Sequence, residues 1–439
     1  MQPDHKLKVY SITMITVGLV IGLGIFRTAT DSAQASLNPG IYFSAWILGG
    51  IIAICGALTF AEIGSRYPNT GGYYQIFAYA YHPALAFALN CVIIISNAAA
   101  LAGVALIGSE YLSSAIPSWQ LSDNARSMIA IGSIALFYAV NLSGLKISSR
   151  ILNVLMAIKI GILLMLIFSL FFPHYHHPAP VPIQFPEWNG DSLSSLGAAL
   201  IAICFTYGGY QQAINFGEEV DRPSHTLPRG IISGILIVLV LYLLVNIAYV
   251  KVIGFVDLKS AKGVAAIICG KLFGETGQYL IALLLFFAVL AYVDVMLLTN
   301  PRVMFAMSRD GALPSIFKQQ NQKNVFVASL SVFTLLVIVI LFFANTFEKL
   351  LGFTMFLDSI GMVFASATLF IFRKNNVEPQ GAKSMYKMKL FPLPTILFII
   401  CYLFVTYTLI KTRPEMALTG TIVFLIFTGI YFIFKNKKS

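Results

Sequence analysis

Charged residues are scarce in this 439-residue chain, at 11% of the total against 58% hydrophobic residues. A soluble globular domain carries about 25% charged residues, so the composition excludes an ordinary soluble protein and indicates one that crosses a membrane many times. The formal charge of +11 does not indicate nucleic-acid binding, because the basic residues occur in short loops between apolar runs. No nucleic-acid partner is therefore expected.

Cysteine and histidine are also rare, with five and six copies. Four cysteines lie in apolar runs and Cys269 is predicted in a loop, with no spacing typical of a metal site or disulfide framework. Three histidines fall in the segment 173–178, which indicates a solvated, proline-punctuated loop. Because every histidine lies in a loop or near a span end, and no P-loop is present, neither a membrane-embedded enzyme nor an ATP-driven pump is expected. No cofactor or bound metal is expected either.

Apolar runs of about 17 to 25 residues predict about twelve transmembrane helices. The runs are 9–33, 41–65, 83–112, 127–145, 150–172, 193–217, 230–253, 277–308, 325–344, 350–372, 391–410 and 417–434. Loops on the side of the two termini hold 19 lysines and arginines, and the opposite loops hold 9. By the positive-inside rule, this asymmetry predicts a multi-pass protein of the cell (inner) membrane with both termini cytoplasmic.

The first run contains closely spaced glycines at Gly18, Gly22 and Gly24. Each glycine inside a helix costs about 1 kcal/mol relative to alanine, so this run is expected to unwind. Unwound backbone is tolerated in a membrane only where it is buried in protein or lines a cavity, and a broken helix therefore predicts a binding site. Gly18 and Gly22 also have the spacing of a small-residue packing face, and both interpretations stay open.

The sixth run contains a second predicted break, at the pair Gly208 and Gly209 about midway along it. Breaks in runs one and six predict two five-helix units, and an odd number of helices gives those units opposite topology. The predicted divisions are a tail 1–8, a first repeat 9–172, an extracellular loop 173–192, a second repeat 193–372, two further helices in 373–434 and a tail 435–439.

Three charged residues are singled out as lying deep inside predicted spans, namely Lys159, Asp294 and Asp358. A buried charge in a span is costly unless it is paired, which makes each of them a candidate functional group. The two acids are candidates for proton relay or for hydrogen-bonded structural groups lining an outer vestibule, and the sequence does not separate these roles.

With these motifs in view, the sequence resembles the amino acid, polyamine and organocation (APC) transporter superfamily, and within it the bacterial relatives of the L-type amino acid transporters. The matching segments are 21–26 (IGLGIF), 68–73 (PNTGGY), 205–210 (FTYGGY), 218–223 (EEVDRP), 227–229 (LPR) and 308–314 (SRDGALP). The resemblance implies an all-α polytopic fold with a LeuT-like five-plus-five inverted repeat, helices 1 and 6 unwound, and two additional helices. It also implies a secondary active permease that moves amino acids by alternating access without sodium.

The resemblance also implies a central substrate site at the two breaks. Its residues are Ile21, Gly22, Leu23, Gly24, Phe205, Thr206, Tyr207 and Gly208. Backbone amides that begin the second half of helix 1 favour an anion, so the substrate carboxylate is expected there. Carbonyls near Ile21 and Phe205 are expected to accept from the substrate ammonium. Phe205, Thr206 and Tyr207 are expected to shape the side-chain pocket and part of a gate.

Lys159 matches the lysine that acts as a built-in cation in sodium-independent relatives. The resemblance implies that its ammonium reaches carbonyls near Gly18 and Leu19 and couples protonation or substrate binding to the conformational change. Two departures from the family pattern stand out. Leu23 replaces the usual serine, and the loop 113–126 lacks the cysteine that joins animal relatives to a heavy subunit. No disulfide-linked partner is therefore expected.

The absence of an acid close to the breaks on spans one, three and six predicts a neutral amino acid substrate of small to medium size. A cationic amino acid or polyamine transporter of the same fold, and a non-transporting amino acid sensor, are the alternatives. The expected partners are the amino acid and membrane lipid, with protons as a further candidate because exchange and proton symport are both open.

Overall fold

The computed structural model describes residues 6–436, except 23, 70, 117–118, 120, 173–188, 262, 344–346 and 379–384. The histidine-rich segment 173–178 and most of the predicted extracellular loop lie outside these described residues. Within them all the regular secondary structure is helical, and Leu7 and Val220 form an isolated β-bridge without a strand. The predicted all-α fold is confirmed.

Fifteen α-helices follow one another along the described chain. In order they are α1 Val9–Val20, α2 Gly24–Ala35, α3 Pro39–Arg66, α4 Gly72–Ala80, α5 Pro83–Ala115, α6 Asp123–Leu142, α7 Leu145–Phe168, α8 Gly190–Tyr207, α9 Pro223–Ile253, α10 Phe255–Leu258, α11 Val264–Arg309, α12 Val327–Phe343, α13 Phe347–Lys374, α14 Leu393–Thr412 and α15 Pro414–Asn436.

Ten of the described helices are long and apolar enough to cross a membrane, and α1 with α2 forms a further span that bends between its two halves. Residues 327–342 of α12 make a shorter apolar helix. The protein is therefore polytopic, and the exact count of twelve spans stays a prediction. The domain boundaries stay predictions as well.

Helix α4, which follows α3, packs into the protein, with Tyr73, Ile76 and Phe77 buried in the core. Two local expectations are corrected. Cys269 lies buried in α11 rather than in a loop. Its helix begins at Val264, well before the predicted span, and bends at Gly274, where φ is 68°. The five cysteines are all buried and unpaired.

The core surrounds the two predicted breaks. Helix α1 packs against α9, α2 packs against α8, and α5 packs against both α11 and α13. Long helices such as α5 are apolar on every side, which is typical of a helix enclosed by protein or lipid. The broken segments therefore lie in the middle of the bundle, where their backbone groups are shielded from lipid.

Candidate functional site

Both predicted helix breaks are present. Helix α1 ends at Val20, and α2 begins at Gly24. The amide of Gly22 donates to the carbonyl of Val20 at 2.6 Å, so the regular helical bonding to a carbonyl four residues earlier stops there. Helix α8 ends at Tyr207, Gly209 has φ of 111°, and a 3₁₀ segment follows over 210–215. Glycine readily adopts such a positive φ, so the second break depends on this residue.

The two breaks face each other directly. The hydroxyl of Tyr242 in α9 donates to the carbonyl of Val20 at 3.0 Å and to that of Thr206 at 3.4 Å. The hydroxyls of Thr28 and Thr206 form a short hydrogen bond between α2 and α8, and Thr28 also donates to the carbonyl of Gly24 at 2.7 Å. A single polar cluster therefore satisfies backbone carbonyls from both broken helices.

Glycines at the breaks also allow close packing. A Cβ on Gly24 would lie 3.0 Å from the Cα of Thr206, and one on Gly18 would lie 2.9 Å from the terminal methyl of Met156. The packing interpretation of Gly18 is thus supported by its contact with α7. At Gly24 a helix break and a close contact occur at the same residue, so the two interpretations describe one arrangement.

A cavity of about 50 Å³ lies between the breaks. Five of the predicted site residues line it: Gly22, Gly24, Phe205, Thr206 and Gly208. Ile21 and Tyr207 are buried and are absent from the described lining. Leu23 lies outside the described residues. The structure therefore brings most of the predicted site together around one cavity.

Tyr207 belongs to an aromatic cluster behind the cavity. Its ring lies 5.8 Å from that of Trp46 and 5.2 Å from that of Tyr242, measured between ring centroids. Successive residues of a helix point about 100° apart, so Phe205 and Thr206 reach the cavity while Tyr207 turns towards α3 and α9. In this structure Tyr207 supports the break rather than the pocket wall.

Much of the remaining cavity wall comes from α5, α11, α13 and the 3₁₀ segment, of which the sequence had not connected α11 and α13 with the site. Helix α5 supplies Ser96, Asn97, Ala100 and Val104, helix α11 supplies Tyr292 and Met296, helix α13 supplies Thr354 and Asp358, and the 3₁₀ segment supplies Gln211 and Gln212. The polar run after Gly209 was visible in the sequence, as was Asn97 within an apolar run. Tyr292 and Met296 gave no comparable signal.

A series of hydrogen-bonded side chains, most of them amides, joins three of the elements around the cavity. Gln212 donates to Asn97 at 3.3 Å, Asn97 donates to Asn300 at 2.7 Å, and Thr299 donates to Gln212 at 3.4 Å. The chain connects the 3₁₀ segment to α5 and α11. Because these side chains bond to one another, the polar groups remain satisfied even where water is excluded.

The two intramembrane acids occupy different environments. Asp358 lines the cavity. Asp294 is fully buried outside the described lining, and its Oδ1 accepts from Asn141 at 2.8 Å and Ser148 at 2.9 Å. Asp294 thus accepts two hydrogen bonds at the junction of α6 and α7, although its buried Oδ2 has no hydrogen-bond partner among the described residues, whereas Asp358 faces the space between the breaks.

Lys159 is buried in α7, with 1% of its surface exposed. Its Nζ has no hydrogen-bond partner among the described residues, so the expected contact with carbonyls near Gly18 and Leu19 is not formed in this conformation. Met156, one turn earlier on α7, nevertheless contacts Gly18 of α1. Lys159 therefore lies on the helix that packs beside the first break, outside the described lining of the cavity.

A larger cavity of about 410 Å³ lies away from the breaks, bordered by the α6–α7 junction, the later part of α11 and the beginning of α12. None of the residues predicted for the substrate site lines it. Its size does not make it the better candidate, because the unwound backbone that distinguishes a carrier site lies elsewhere.

Comparison with known proteins shows the family of the chain. The family model described as amino acid permease matches residues 7–434. The chain is 26% identical to the serine/threonine exchanger SteT of Bacillus subtilis over 99% of both chains. It is 25% identical to the mouse b(0,+)-type amino acid transporter 1 over 96% of this chain and 85% of that one. It is 24% identical to the human large neutral amino acids transporter small subunit 2 over 95% of this chain and 78% of that one. The chain therefore belongs to the amino acid permease family, within the APC superfamily, and is a membrane transporter rather than an enzyme.

Proposed function

We propose that this permease is a sodium-independent secondary carrier of neutral L-amino acids of small to medium size, working by alternating access. The observation that carries the proposal is the cavity between the two helix breaks, lined by Gly22, Gly24, Phe205, Thr206 and Gly208. Exchange and proton symport remain the two candidate modes. The cell (inner) membrane, with both termini cytoplasmic, is the proposed location.

The substrate carboxylate is proposed to bind at the beginning of α2. The first amides of a helix lack partners within it, and the helix dipole favours an anion there. The Gly22 amide already donates to the carbonyl of Val20. The substrate carboxylate is therefore proposed to accept hydrogen bonds from the amides that follow, including those of Leu23 and Gly24. The ammonium would bind carbonyls near Ile21 and Phe205 at the facing ends of α1 and α8.

A neutral substrate is supported by two of the relatives, whose names give serine and threonine in one case and large neutral amino acids in the other. Although spans one, three and six place no acid close to the breaks, α13 brings the carboxylate of Asp358 to the cavity. A cationic substrate is therefore the second candidate, and a non-transporting sensor is the third.

Uptake by the purified protein in sodium-free proteoliposomes tests the proposal. Labelled serine, alanine or leucine should enter vesicles, either only when an amino acid is present inside or also into empty vesicles under an inward proton gradient. The first result would establish exchange, and the second would establish proton symport. Preferential uptake of arginine, with neutral amino acids ignored, would contradict the neutral substrate class, and binding without any uptake would indicate a sensor.

Lys159 is the proposed coupling residue, because a buried and unpaired ammonium beside the first helix break is sensitive to rearrangement of α1. Lys159→Ala is expected to keep substrate affinity within about tenfold, since the side chain does not line the cavity, while net flux falls or its pH dependence changes. Binding and proteoliposome uptake measured over several pH values check this. The exposed Lys387, in a surface pair with Glu378, provides a control variant, Lys387→Ala. Wild-type flux at every pH would remove Lys159 from the mechanism.

No disulfide-linked heavy subunit is proposed for this chain, although one relative is named as a small subunit. The described cysteines are all buried, so none of them is available to a partner outside the membrane. Transport by the purified chain alone is accordingly expected in the uptake experiment, with membrane lipid as its surroundings.

A further inference from the structure

Asp358 places a carboxylate in the space between the two helix breaks. It lies one turn after Thr354 on α13, and both residues line the cavity together with Tyr292 of α11. Among the described lining residues, Asp358 alone carries a charge. No described residue forms an ion pair with it, in contrast to Glu62, which is paired with Arg66 and Arg373.

Among the described residues, the ionisable groups that interact electrostatically with Asp358 do not compensate its charge. They are the phenols of Tyr73 on α4, Tyr210 in the 3₁₀ segment, Tyr292 on α11 and Tyr402 on α14, and the thiol of Cys204 on α8. Each of these groups is neutral or negative in every protonation state. Lys159 lies on α7, outside the described lining, and does not pair with Asp358.

A neutral amino acid does not supply the missing charge. It brings one positive and one negative group, and the backbone at the two breaks is already proposed to hold both. An ionised carboxylate enclosed without a counter-charge is strongly disfavoured when water is excluded. When the cavity closes over a neutral amino acid, the ionised carboxylate of Asp358 therefore needs one further positive charge. A proton is the cation small enough to share the space with that substrate.

We infer that Asp358 takes up one proton from water when a neutral amino acid binds, so that the occupied cavity carries no net charge. The inference rests on the proposed function and names the group that makes it proton-linked. The protonated carboxyl then donates a hydrogen bond within the cavity, and the proton returns to water when the site opens and the substrate leaves. Asp294, hydrogen-bonded outside the cavity, takes no part.

Proton uptake on binding gives a direct test, independent of whether the carrier works as an exchanger or a symporter. Calorimetric titration of the purified protein with serine or alanine, in buffers of different ionisation enthalpy, counts the protons bound. About one proton per amino acid is expected at pH values where the empty site is ionised, and there the dissociation constant should rise about tenfold per pH unit. A count of zero across the accessible pH range would overturn the inference.

Two carboxyl-to-amide variants localise the proton. Asp358→Asn should bind the neutral amino acid with no proton uptake and a flat pH profile, whereas Asp294→Asn should keep the wild-type count. A wild-type count in Asp358→Asn would assign the proton to another group, such as Lys159, and overturn the inference. If Asp358→Asn does not fold, Asp358→Glu replaces it and should move the pH at which uptake ends, while Asp294→Glu should not. An unmoved profile in Asp358→Glu would overturn the inference.

Two further results separate the inference from the proposed function. If no neutral amino acid binds to the wild-type protein but lysine or arginine does, then the proposed substrate class fails and Asp358 pairs with a substrate cation instead. If neutral amino acids bind and exchange normally but without protons, then the proposed function stands and only the role of Asp358 is rejected.

Discussion

Replacing Glu62 with glutamine is expected to cost the folded protein about 3 to 5 kcal/mol, the range found when one partner of a buried ion pair is removed. Glu62 is fully buried, and four hydrogen bonds reach its carboxylate. Arg66 donates at 2.8 Å, Arg373 donates twice at 2.9 and 2.7 Å, and the amide of Met388 donates at 2.7 Å. The variant would leave two guanidinium groups close together without an anion.

This carboxylate holds three parts of the chain together. Arg66 lies at the end of α3, Arg373 near the end of α13, and Met388 in the segment before α14. Arg66 also donates to the carbonyl of Val377, and Arg373 donates to that of Met388. Loss of the charge at Glu62 therefore weakens the packing of α13 and α14 against α3 rather than a single contact.

The expected result is a clear fall in the thermal midpoint of the detergent-solubilised protein, measured by size-exclusion chromatography after heating. Glu378→Gln is the matched control, because its pair with Lys387 is exposed and surface pairs contribute about 1 kcal/mol or less. Adding Arg373→Gln to Glu62→Gln should cost less than the sum of the two single changes, since the second change removes a cation left unpaired. An unchanged midpoint for Glu62→Gln would contradict the assigned role.

The positions of the two helix breaks were predictable from the sequence because they depend on local residues. Gly22 and Gly24 interrupt an apolar run, and the pair at Gly208 and Gly209 interrupts another. A glycine lowers helix stability wherever it occurs in a run. The positions of the breaks can therefore be predicted without knowledge of the tertiary structure. The structure places α1, α2, α8 and the 3₁₀ segment around these same residues.

The rest of the cavity wall was not predictable in this way. Tyr292 and Asp358 lie on helices that are apolar on most sides, so periodicity does not indicate which face turns towards the breaks. The two acids looked equivalent in the sequence, and only the packing of α11 and α13 separates the hydrogen-bonded Asp294 from the cavity-lining Asp358. The pair of Glu62 and Arg373, separated by 311 positions, is likewise a product of tertiary structure.

The sequence identifies Gly209 as part of a glycine pair, and the structure shows how it differs from its neighbour Gly208. Gly208 has an ordinary φ of −67°, whereas φ at Gly209 is 111°. A Cβ on Gly208 would approach the carbonyl oxygen of Phe205 at 3.3 Å, a contact that a small shift relieves. A Cβ on Gly209 would meet the backbone carbonyl of Leu19, on the opposite broken helix.

Gly209→Ala is therefore expected to abolish substrate binding, with an affinity loss of at least about 100-fold. The positive φ alone costs about 1 to 3 kcal/mol for a residue with a side chain, and each 1.4 kcal/mol corresponds to about tenfold in affinity. The clash adds to this cost, because the carbonyl carbon of Leu19 would lie 2.9 Å from the new Cβ and backbone atoms cannot rotate aside. The two breaks would be pushed apart, and the amides and carbonyls proposed to hold the amino acid would no longer face one cavity.

Direct binding of labelled neutral amino acids to the purified variant, together with exchange in proteoliposomes, measures this loss. Gly161→Ala is the matched control, since Gly161 lies within α7 and, apart from the nearby backbone of its own helix, no described atom lies within 4 Å of the position its Cβ would take; alanine there should leave binding unchanged. Gly208→Ala is expected to show a milder loss than Gly209→Ala. Equal affinities for Gly209→Ala and the wild type would mean that the close approach of Gly209 to Leu19 is not required for binding. A graded loss, from Gly161 through Gly208 to Gly209, would instead tie substrate binding to the contact between the two broken helices.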